Sequence, residues 1–422
     1  MFIEFRVENH RSLRDEQILT LEEGRVGEMS DPRPRRTGVH GSRLLPAAVI
    51  YGANASGKSN VLAALAFMRE AVLHSQRRWE PEGGVPRAPF GWGTKRNESS
   101  MFEVAFLVNE IKYVYGFSVD DEAVEEEWLF AWPKNHKQVW FEREAGQFKF
   151  GERLKGPNDA VREVTRRNAL FLSAAAQHGH QQLTPLYSWF RRIFPVNVLG
   201  RGIPVFHGSF LTDWLFSSSD EEQRSPFPVD DPHDALSARI RHLLKAADIG
   251  IIDIKTKDIE REVRGRILRR QRIVLQHQID DEDSWLDLED ESEGTKALFR
   301  MAPSVFRTLE SGGLLLVDEL ESSLHPLLGL AIVQMFNCPQ SNPKNSQIVF
   351  TTHDTNLLGT TLGEPALRRD QIWFTEKDRD GATKLYPLTD YRPRKSENLE
   401  RGYLQGRYGA IPFLGDIPWL TE

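Results

Sequence analysis

Residues 50–65, IYGANASGKSNVLAAL, limit the fold of this chain more than any other stretch. Gly52 is followed by four residues and then by Gly57, Lys58 and Ser59, which is the complete spacing of a phosphate-binding loop. The apolar run LLPAAVIY precedes the loop, and the helically spaced NVLAALAFMREAVL follows it. The sequence therefore predicts a strand, a tight turn and a helix, arranged as in an α/β fold.

The chemistry of this loop predicts two ligands, ATP and Mg²⁺. The glycines let backbone N–H groups point inward, and the helix N-terminus adds its partial positive charge. We expect Lys58 to reach the β and γ phosphates, and the hydroxyl of Ser59 to bind Mg²⁺. The residues predicted to hold the nucleotide are Gly52, Ala53, Asn54, Ala55, Ser56, Gly57, Lys58, Ser59 and Asn60.

Composition excludes several classes of protein. A chain of 422 residues, 40% of them hydrophobic, is long enough for two or three domains. The net charge of −7 gives no overall basic field, so nucleic-acid binding would need a local basic patch. The single cysteine, Cys338, excludes an intrachain disulfide framework. Because the sequence has no signal-peptide pattern and no run of about 20 apolar residues, we expect a cytoplasmic protein that makes no membrane contact.

A second informative stretch is GGLLLVDELESSLHP, residues 312–326. Its apolar run predicts a buried strand that delivers Asp318 and Glu319 at its carboxyl end, where ligands bind in open α/β sheets. We expect Asp318 to act on Mg²⁺, through water, and Glu319 to orient or deprotonate the water that attacks the γ-phosphate. A helix N-cap region is the alternative interpretation of such a carboxylate pair.

A third strand end carries His353, in SQIVFTTHDTNLL, residues 346–358. A single histidine is most often structural or solvated. Here it follows another predicted core strand, which makes it a candidate sensor of the γ-phosphate through a neutral imidazole.

The order of the segments predicts a division into three parts. Residues 1–156 are expected to form an N-terminal lobe with the phosphate loop and a β meander. Residues 157–250 have a helical pattern and are predicted to be an insertion, and residues 251–422 are predicted to complete the core. No heptad pattern indicates a long coiled coil.

The order of these motifs resembles the ABC-type ATPases of the RecF, SMC and OLD kind. ESEGTKALF stands where that family has its signature, with Ser292, Gly294 and Thr295 in the motif and Glu293 in place of the first glycine. The resemblance implies an ATPase head with a mixed sheet, flanking helices, an antiparallel β subdomain and a helical insertion. It also implies that Ser292 and the N–H groups near Gly294 contact ATP held by a second subunit.

Further motifs extend this resemblance. VENHRSL resembles the N-terminal strand of the family, in which Arg11 would approach the nucleotide, with His10 in place of an aromatic residue. ESSLHP resembles the loop that lines the interface between subunits. Four further blocks extend beyond the ATP motifs, namely NALFLSAAAQ, LLKAADIGIIDI, LRRDQIWFTEKD and ENLERGYLQGRYGAIP. With them the chain more closely resembles the compact AAA15-type ATPases of bacterial defence islands, which include RloA and the PARIS-system ATPase. That resemblance implies a homo-oligomer and a partner effector, often nuclease-like, encoded nearby, and a role in antiphage defence.

Two other functions remain open from the sequence. An OLD-type nuclease would need a further metal-binding domain of about 100 residues or more, and the stretch after His353 is too short for one. A RecF-type DNA-binding role is favoured by the basic stretch REVRGRILRRQRIVL, residues 261–275, although an acidic run follows it. The stretch RGYLQGRYGAIPF, residues 401–413, is interpreted either as a core-packing tail or as a partner-docking segment.

Overall fold

The computed structural model describes residues 1–26, 30–38, 42–199, 233–247, 250–263, 266–278, 284–361, 363–394 and 397–412. Within these ranges the helices are α1 (Lys58–Arg78), α2 (Asn158–Val164), α3 (Phe171–Gln177), α4 (Thr184–Arg191), α5 (His233–Ala247), α6 (Glu293–Ser311), α7 (Pro326–Asn337) and α8 (Leu399–Leu404). The strands of the first half are β1 (Phe2–Glu8), β2 (Gln17–Thr20), β3 (Arg35–Arg36), β4 (Arg43–Leu44), β5 (Ala47–Gly52), β6 (Ser100–Val108), β7 (Ile111–Val119), β8 (Val124–Trp132), β9 (Gln138–Glu144) and β10 (Gln147–Phe150). The strands of the second half are β11 (Ile193–Val196), β12 (Ile251–Val263), β13 (Arg266–His277), β14 (Trp285–Asp287), β15 (Leu314–Val317), β16 (Gln347–Thr351), β17 (Ile372–Lys377) and β18 (Thr383–Pro387).

A six-stranded sheet carries the predicted phosphate loop. Its order is β11-β15-β16-β5-β17-β18. Neighbouring strands are parallel except for β17 and β18, which form the antiparallel hairpin that ends this sheet. Every residue of β5, β15 and β16 is buried, as expected for parallel strands that are covered on both faces. The three predicted site segments therefore leave adjacent strands at the same edge.

A seven-stranded antiparallel sheet forms the second layer. Its order is β10-β9-β8-β7-β6-β1-β2, so the predicted meander of the N-terminal half pairs consecutively and is joined by the N-terminal strand. The Gln347 side chain ties the two sheets together, because it accepts from the backbone N–H of Phe2 at 2.6 Å and donates to the Phe2 carbonyl at 2.9 Å. The mixed α/β fold with an antiparallel β subdomain is confirmed.

The parallel sheet has different helices on its two faces. Ala48 and Ile50 of β5 pack in one core with α1, α3, α4 and the antiparallel sheet. Val49 and Tyr51 point the other way, into a second core with α5, α6 and α7. This alternation follows from the period of two along a strand. The helix that follows the phosphate loop and the helix that carries the predicted signature thus lie on opposite faces of one sheet.

The segment predicted as a helical insertion, residues 157–250, contains helices, and it also contains a strand of the core sheet. α3 and α4 pack against α1. β11 then pairs in parallel with β15, from Ile193 opposite Leu314 to Val196 opposite Val317, and so extends the phosphate-loop sheet. The strand has little sequence signal, because it is four residues long and contains a proline that is tolerated at a sheet edge. The division into three domains stays a prediction.

Two segments that stand out in the sequence lie on β-hairpins. TEKDRDGATKLYPL forms the β17–β18 hairpin, with Gly381 at a φ of 77° in its turn. The basic stretch lies on β12 and β13, which pair antiparallel from Ile251 opposite His277 to Val263 opposite Arg266. Arg264 lies outside the described residues.

Within the described ranges the longest helix has 21 residues, and no helix is long and apolar enough to cross a membrane.

Residues near the C-terminus pack into the second core. Tyr403 and Tyr408 are buried, and the Tyr403 ring lies 5.5 Å from that of Tyr51, the residue before the first loop glycine. The hydroxyl of Tyr51 donates to the carbonyl of Asp354 at 2.9 Å. For these tyrosines the core-packing interpretation of the tail is therefore the correct one.

Candidate nucleotide site

The loop between β5 and α1 needs glycine at both ends. Gly57 caps α1 with a φ of 104°, a left-handed conformation that is costly for other residues. A Cβ at Gly57 would lie 2.1 Å from Oγ1 of Thr383, and one at Gly52 would lie 2.4 Å from Oγ1 of Thr375. The predicted spacing therefore reflects close packing beneath the loop as well as its tight turn.

Four hydroxyl side chains form hydrogen bonds that support the phosphate loop. Ser56 Oγ is hydrogen-bonded to Thr375 Oγ1 at 2.7 Å. Thr383 Oγ1 donates to the Ser56 carbonyl at 2.8 Å and is hydrogen-bonded to Ser12 Oγ at 2.7 Å. Ser12, Ser56, Thr375 and Thr383, here called the hydroxyl cluster, join the loop to β17, β18 and the N-terminal segment. Sequence reasoning missed Ser12, Thr375 and Thr383, because their contacts span hundreds of residues.

Lys58 is buried and close enough to three carboxylates for their charges to affect it. Its Nζ donates to the carbonyls of Gly52 at 2.9 Å and Ala53 at 3.2 Å. Burial lowers its pKa, and the negative charges that oppose this effect are those of Asp318, Glu321 and Glu319. The lysine of the loop and the carboxylates of the second motif are thus brought together, as the sequence predicts.

Asp318 and Glu319 are oriented by one threonine at the end of the adjacent strand. The hydroxyl of Thr351 donates to Oδ1 of Asp318 at 2.7 Å and accepts from the backbone N–H of Glu319 at 2.8 Å. Glu319 has a φ of 54° and an exposed side chain. A non-glycine residue with positive φ is strained, and such strain concentrates at functional sites.

His353 lies beside the same carboxylates. Its backbone N–H donates to Oε1 of Glu321 at 2.5 Å. Burial and the charge of Lys58 lower the pKa of His353, against the opposing charges of Glu321, Glu319 and Asp318. The neutral imidazole is therefore favoured, in the state expected of a hydrogen-bond donor to phosphate. Glu321 was not predicted as a site residue, although its place two residues after Glu319 is a sequence signal that could have indicated it.

Arg11 approaches the loop from the N-terminal segment. Its Nη1 donates to Oδ1 of Asn60 at 3.1 Å, and Asn60 in turn donates to Ser12 Oγ at 2.7 Å. Burial lowers the pKa of Arg11, and the charge of Asp318 opposes that shift. His10 fills the aromatic position that precedes it, with its ring centroid 5.4 Å from Phe102 and 5.8 Å from Phe67.

The signature residues begin α6 on the other face of the sheet. Ser292 caps the helix, because its Oγ accepts from the backbone N–H of Thr295 at 3.1 Å. A Cβ at Gly294 would lie 3.0 Å from the carbonyl of Ser323, in the loop after Glu319. Ser292 is exposed. The sheet therefore separates these residues from the helix that follows the phosphate loop of the same chain.

The remaining predicted residues complete the surface of the loop. Asn54 and Ala55 are exposed at its tip, and Ala55 has a φ of 61°. Ser59 lies in the first turn of α1, next to Lys58.

Within the described ranges, no group of three or more His, Cys, Asp or Glu side chains could hold a metal ion alone. The hydroxyl of Ser59 and the carboxylate of Asp318 are the hard oxygen donors that suit Mg²⁺, which is bound by few protein ligands together with phosphate oxygens.

Comparisons with solved structures return SMC heads. The SMC head domain from Thermotoga maritima is 14% identical, with a TM-score of 0.37 over 92% of this chain and 98% of that chain. An Smc head bound to the C-winged helix domain of ScpA is 14% identical, with a TM-score of 0.46 over 92% and 99%. One derived from Pyrococcus furiosus, bound to the C-terminal domain of ScpA, is 13% identical, with a TM-score of 0.39 over 93% and 97%.

Comparison with curated proteins finds no match. The profile of one protein family, described as "AAA domain, putative AbiEii toxin, Type IV TA system", matches residues 47–359. This range is more than half of the chain, and it includes the phosphate loop, the carboxylate pair and His353. The chain therefore belongs to this AAA-domain family of P-loop ATPases.

Proposed function

We propose that this protein hydrolyses ATP with Mg²⁺ at a site shared by two copies of the chain, and that nucleotide turnover regulates a partner effector in antiphage defence. The observation that carries the proposal is that Lys58, buried in the loop after β5, interacts with the charges of Asp318, Glu319 and Glu321, which follow the nearby parallel strand β15. A lysine that can bind phosphate oxygens, close to carboxylates that can bind Mg²⁺, is suited to a metal–phosphate group.

Each side chain has a distinct role in this proposal. Lys58 leaves the loop carbonyls and binds the β and γ phosphates. Ser59 and Asp318 would hold Mg²⁺, which when bound offsets the charge of the phosphates. Glu319 takes a proton from the attacking water or orients it, and His353 donates a hydrogen bond to the γ-phosphate. Arg11 lies beside Asn60 and adds positive charge at the loop.

The layered fold supports a site made by two copies. Ser292 and Gly294 open α6, while the phosphate loop opens α1 across the sheet. Both groups are suited to phosphate, since each lies at a helix N-terminus. A second copy placed with its α6 against the loop of the first would complete both sites at once, as in a symmetric dimer.

A defence role is supported by two observations. The description of the matching family includes the words "putative AbiEii toxin, Type IV TA system", which refer to a toxin–antitoxin system. The sequence also resembles ATPases encoded in bacterial defence islands, which commonly act with a nuclease-like effector. Copurification of the adjacent gene product with Glu319→Gln in ATP, and its loss without nucleotide, would support such a partner. No copurification in either state would contradict it.

Duplex DNA is a second candidate partner. The basic stretch, residues 261–275, lies on the β12–β13 hairpin, where cationic residues of both strands share one local element. Phosphate contacts make affinity depend steeply on salt. If DNA binds here, Arg269→Gln combined with Arg270→Gln should weaken binding and reduce its salt dependence. Unchanged binding by that variant would exclude the hairpin.

The test of the proposed activity is ATP turnover by purified protein. Wild-type protein should release phosphate in Mg²⁺, whereas Lys58→Ala should fail to bind ATP. Glu319→Gln should bind ATP but hydrolyse it slowly, and light scattering should show a larger particle when it is saturated. The exposed Glu152→Gln is the matched control for loss of one carboxylate. Full activity of Lys58→Ala and Glu319→Gln would overturn the proposal.

A further inference from the structure

An exposed tryptophan lies next to the elements that support the phosphate loop. Trp92 is 62% exposed, the highest value among the large apolar side chains of the described residues. It lies between Gly91 and Gly93, where an added Cβ would meet nothing within 4 Å. Tryptophan is enriched at binding sites, where its large ring supplies contact area.

Trp92 is nevertheless held in one orientation. Its indole Nε1 donates to the carbonyl of Asp380 at 2.9 Å. One ring edge lies 3.3 Å from the Cβ position of Gly381, and the ring of Phe90 stands at 65° to it, 5.3 Å away. The contacts on one side leave the rest of the indole open. A preorganised aromatic face of this kind is suited to stacking.

Two backbone connections join this tryptophan to the phosphate loop. Arg11, which binds Asn60, donates its backbone N–H to the carbonyl of Ala88 at 2.7 Å, four residues before Trp92. Thr383, which supports Ser56, lies two residues after Gly381, and two residues of chain span at most about 7 Å. Trp92 is therefore within reach of a nucleoside whose phosphates occupy the loop.

The order of the strands indicates on which side of the phosphate loop the nucleoside would lie. β5 lies between β16 and β17. The groups that act on the γ-phosphate, Asp318 and His353, follow β15 and β16 on one side of the loop. For a ligand whose γ-phosphate lies beside these residues, we expect the nucleoside end on the other side of β5, near the β17–β18 hairpin, where Trp92 is anchored.

We propose that Trp92 stacks on the purine base of the nucleotide and forms its base-binding subsite. This inference rests on the proposed function, because it places the base of the ATP whose phosphates Lys58 binds. Stacking does not distinguish adenine from guanine, since every base has a π-face. The subsite therefore contributes affinity for nucleotides without selecting among bases.

The test compares ATP with inorganic tripolyphosphate, which lacks a base, by calorimetry in Mg²⁺. Trp92→Ala should bind ATP about 5- to 100-fold more weakly and tripolyphosphate as well as wild type does, whereas Trp92→Phe should retain most of the affinity for ATP. Leu404→Ala, which removes a side chain that is 61% exposed, is the control and should change neither. Lys58→Ala should weaken both ligands.

The outcomes separate the two proposals. If Trp92→Ala binds ATP like wild type while Lys58→Ala does not, the base-binding subsite is wrong and the ATP site stands. If wild-type protein binds neither ligand, the proposed ATP site fails and the subsite fails with it. If Trp92→Ala keeps its affinity for ATP but loses a copurifying protein, Trp92 is a protein-contact residue and the inference is overturned.

Discussion

The backbone N–H of His353 donates a 2.5 Å hydrogen bond to Oε1 of Glu321, which joins the segments that leave two adjacent core strands. The other carboxylate oxygen, Oε2, is buried and has no hydrogen-bond partner in the described part of the chain. Glu321 also lies near Lys58, whose pKa it influences. A third carboxylate therefore holds the backbone of His353 and interacts with the charge of Lys58.

Replacement of Glu321 should separate positioning from nucleotide binding. Glu321→Ala should lower kcat about 10- to 100-fold with little change in the Kd for ATP, because His353 loses its anchor while the loop is intact. Glu321→Gln should retain much of the activity, since its amide oxygen can accept the same hydrogen bond. The measurement is steady-state hydrolysis combined with equilibrium ATP binding. Equal losses in the Ala and Gln variants would show that the charge, not the hydrogen bond, is required.

The hydroxyl cluster should stabilise both the fold and the loop. Thr383 is buried, and its hydroxyl donates to the Ser56 carbonyl and bonds with Ser12. Thr383→Val should lower the free energy of unfolding by about 1–3 kcal/mol and weaken ATP binding, because the buried groups lose their partner. Thr383→Ser keeps the hydroxyl and is the control. Denaturant unfolding and calorimetry would measure both effects, and a Val variant equal to wild type would contradict this role.

His10 should make the protein sensitive to acid. It is buried between aromatic rings, and neither ring nitrogen has a hydrogen-bond partner among the described residues. Burial and the charge of Arg11 lower its pKa from 6.5 to about 3. Between these values the unfolded chain binds the proton and the folded chain does not, so stability falls as pH decreases. At pH 5 this difference amounts to about 2 kcal/mol.

His10→Phe should therefore stabilise the protein at neutral pH and reduce the decline in stability between pH 6.5 and about 3. Phenylalanine keeps the aromatic contacts and has no polar atoms to bury. The exposed His136→Phe is the matched control and should leave the pH dependence unchanged. Denaturant unfolding over this pH range is the measurement. A His10→Phe variant with the pH dependence of wild type would contradict the account.

The sequence predicted most accurately the local elements that are specified by short stretches of residues. The strand, turn and helix around Gly57, the strand that ends at Val317 and the hairpin around Gly381 all have local patterns of apolar and turn residues, and the structure has them. The pairing of strands at one sheet edge then brought Asp318 and His353 to Lys58, because successive parallel strands end on the same side.

Contacts between distant residues had no such signal. Thr375 and Thr383 are ordinary strand residues in sequence, yet they contact Ser56 across more than 300 residues. β11 is too short to show a period, and it joins the core only because β15 offers it an edge. His10 was recognised as standing in place of an aromatic residue, but its burial between two rings is a tertiary property.

The central claim is that one ATP site uses two copies of the chain, and subunit mixing tests it most directly. Lys58→Ala removes the loop lysine, and Ser292→Asp keeps the helix cap but places a negative charge against phosphate. Each variant alone should be inactive. In a mixed dimer, the intact loop of one subunit faces the intact α6 of the other, so one working site forms.

Equal amounts of the two variants should therefore recover about a quarter of the wild-type hydrolysis rate, because half of the dimers are hybrids and each has one intact site. Circular dichroism of both variants would establish that they are folded. A mixture no more active than its components, from folded variants that form dimers, would contradict the shared site and indicate that each chain hydrolyses ATP alone.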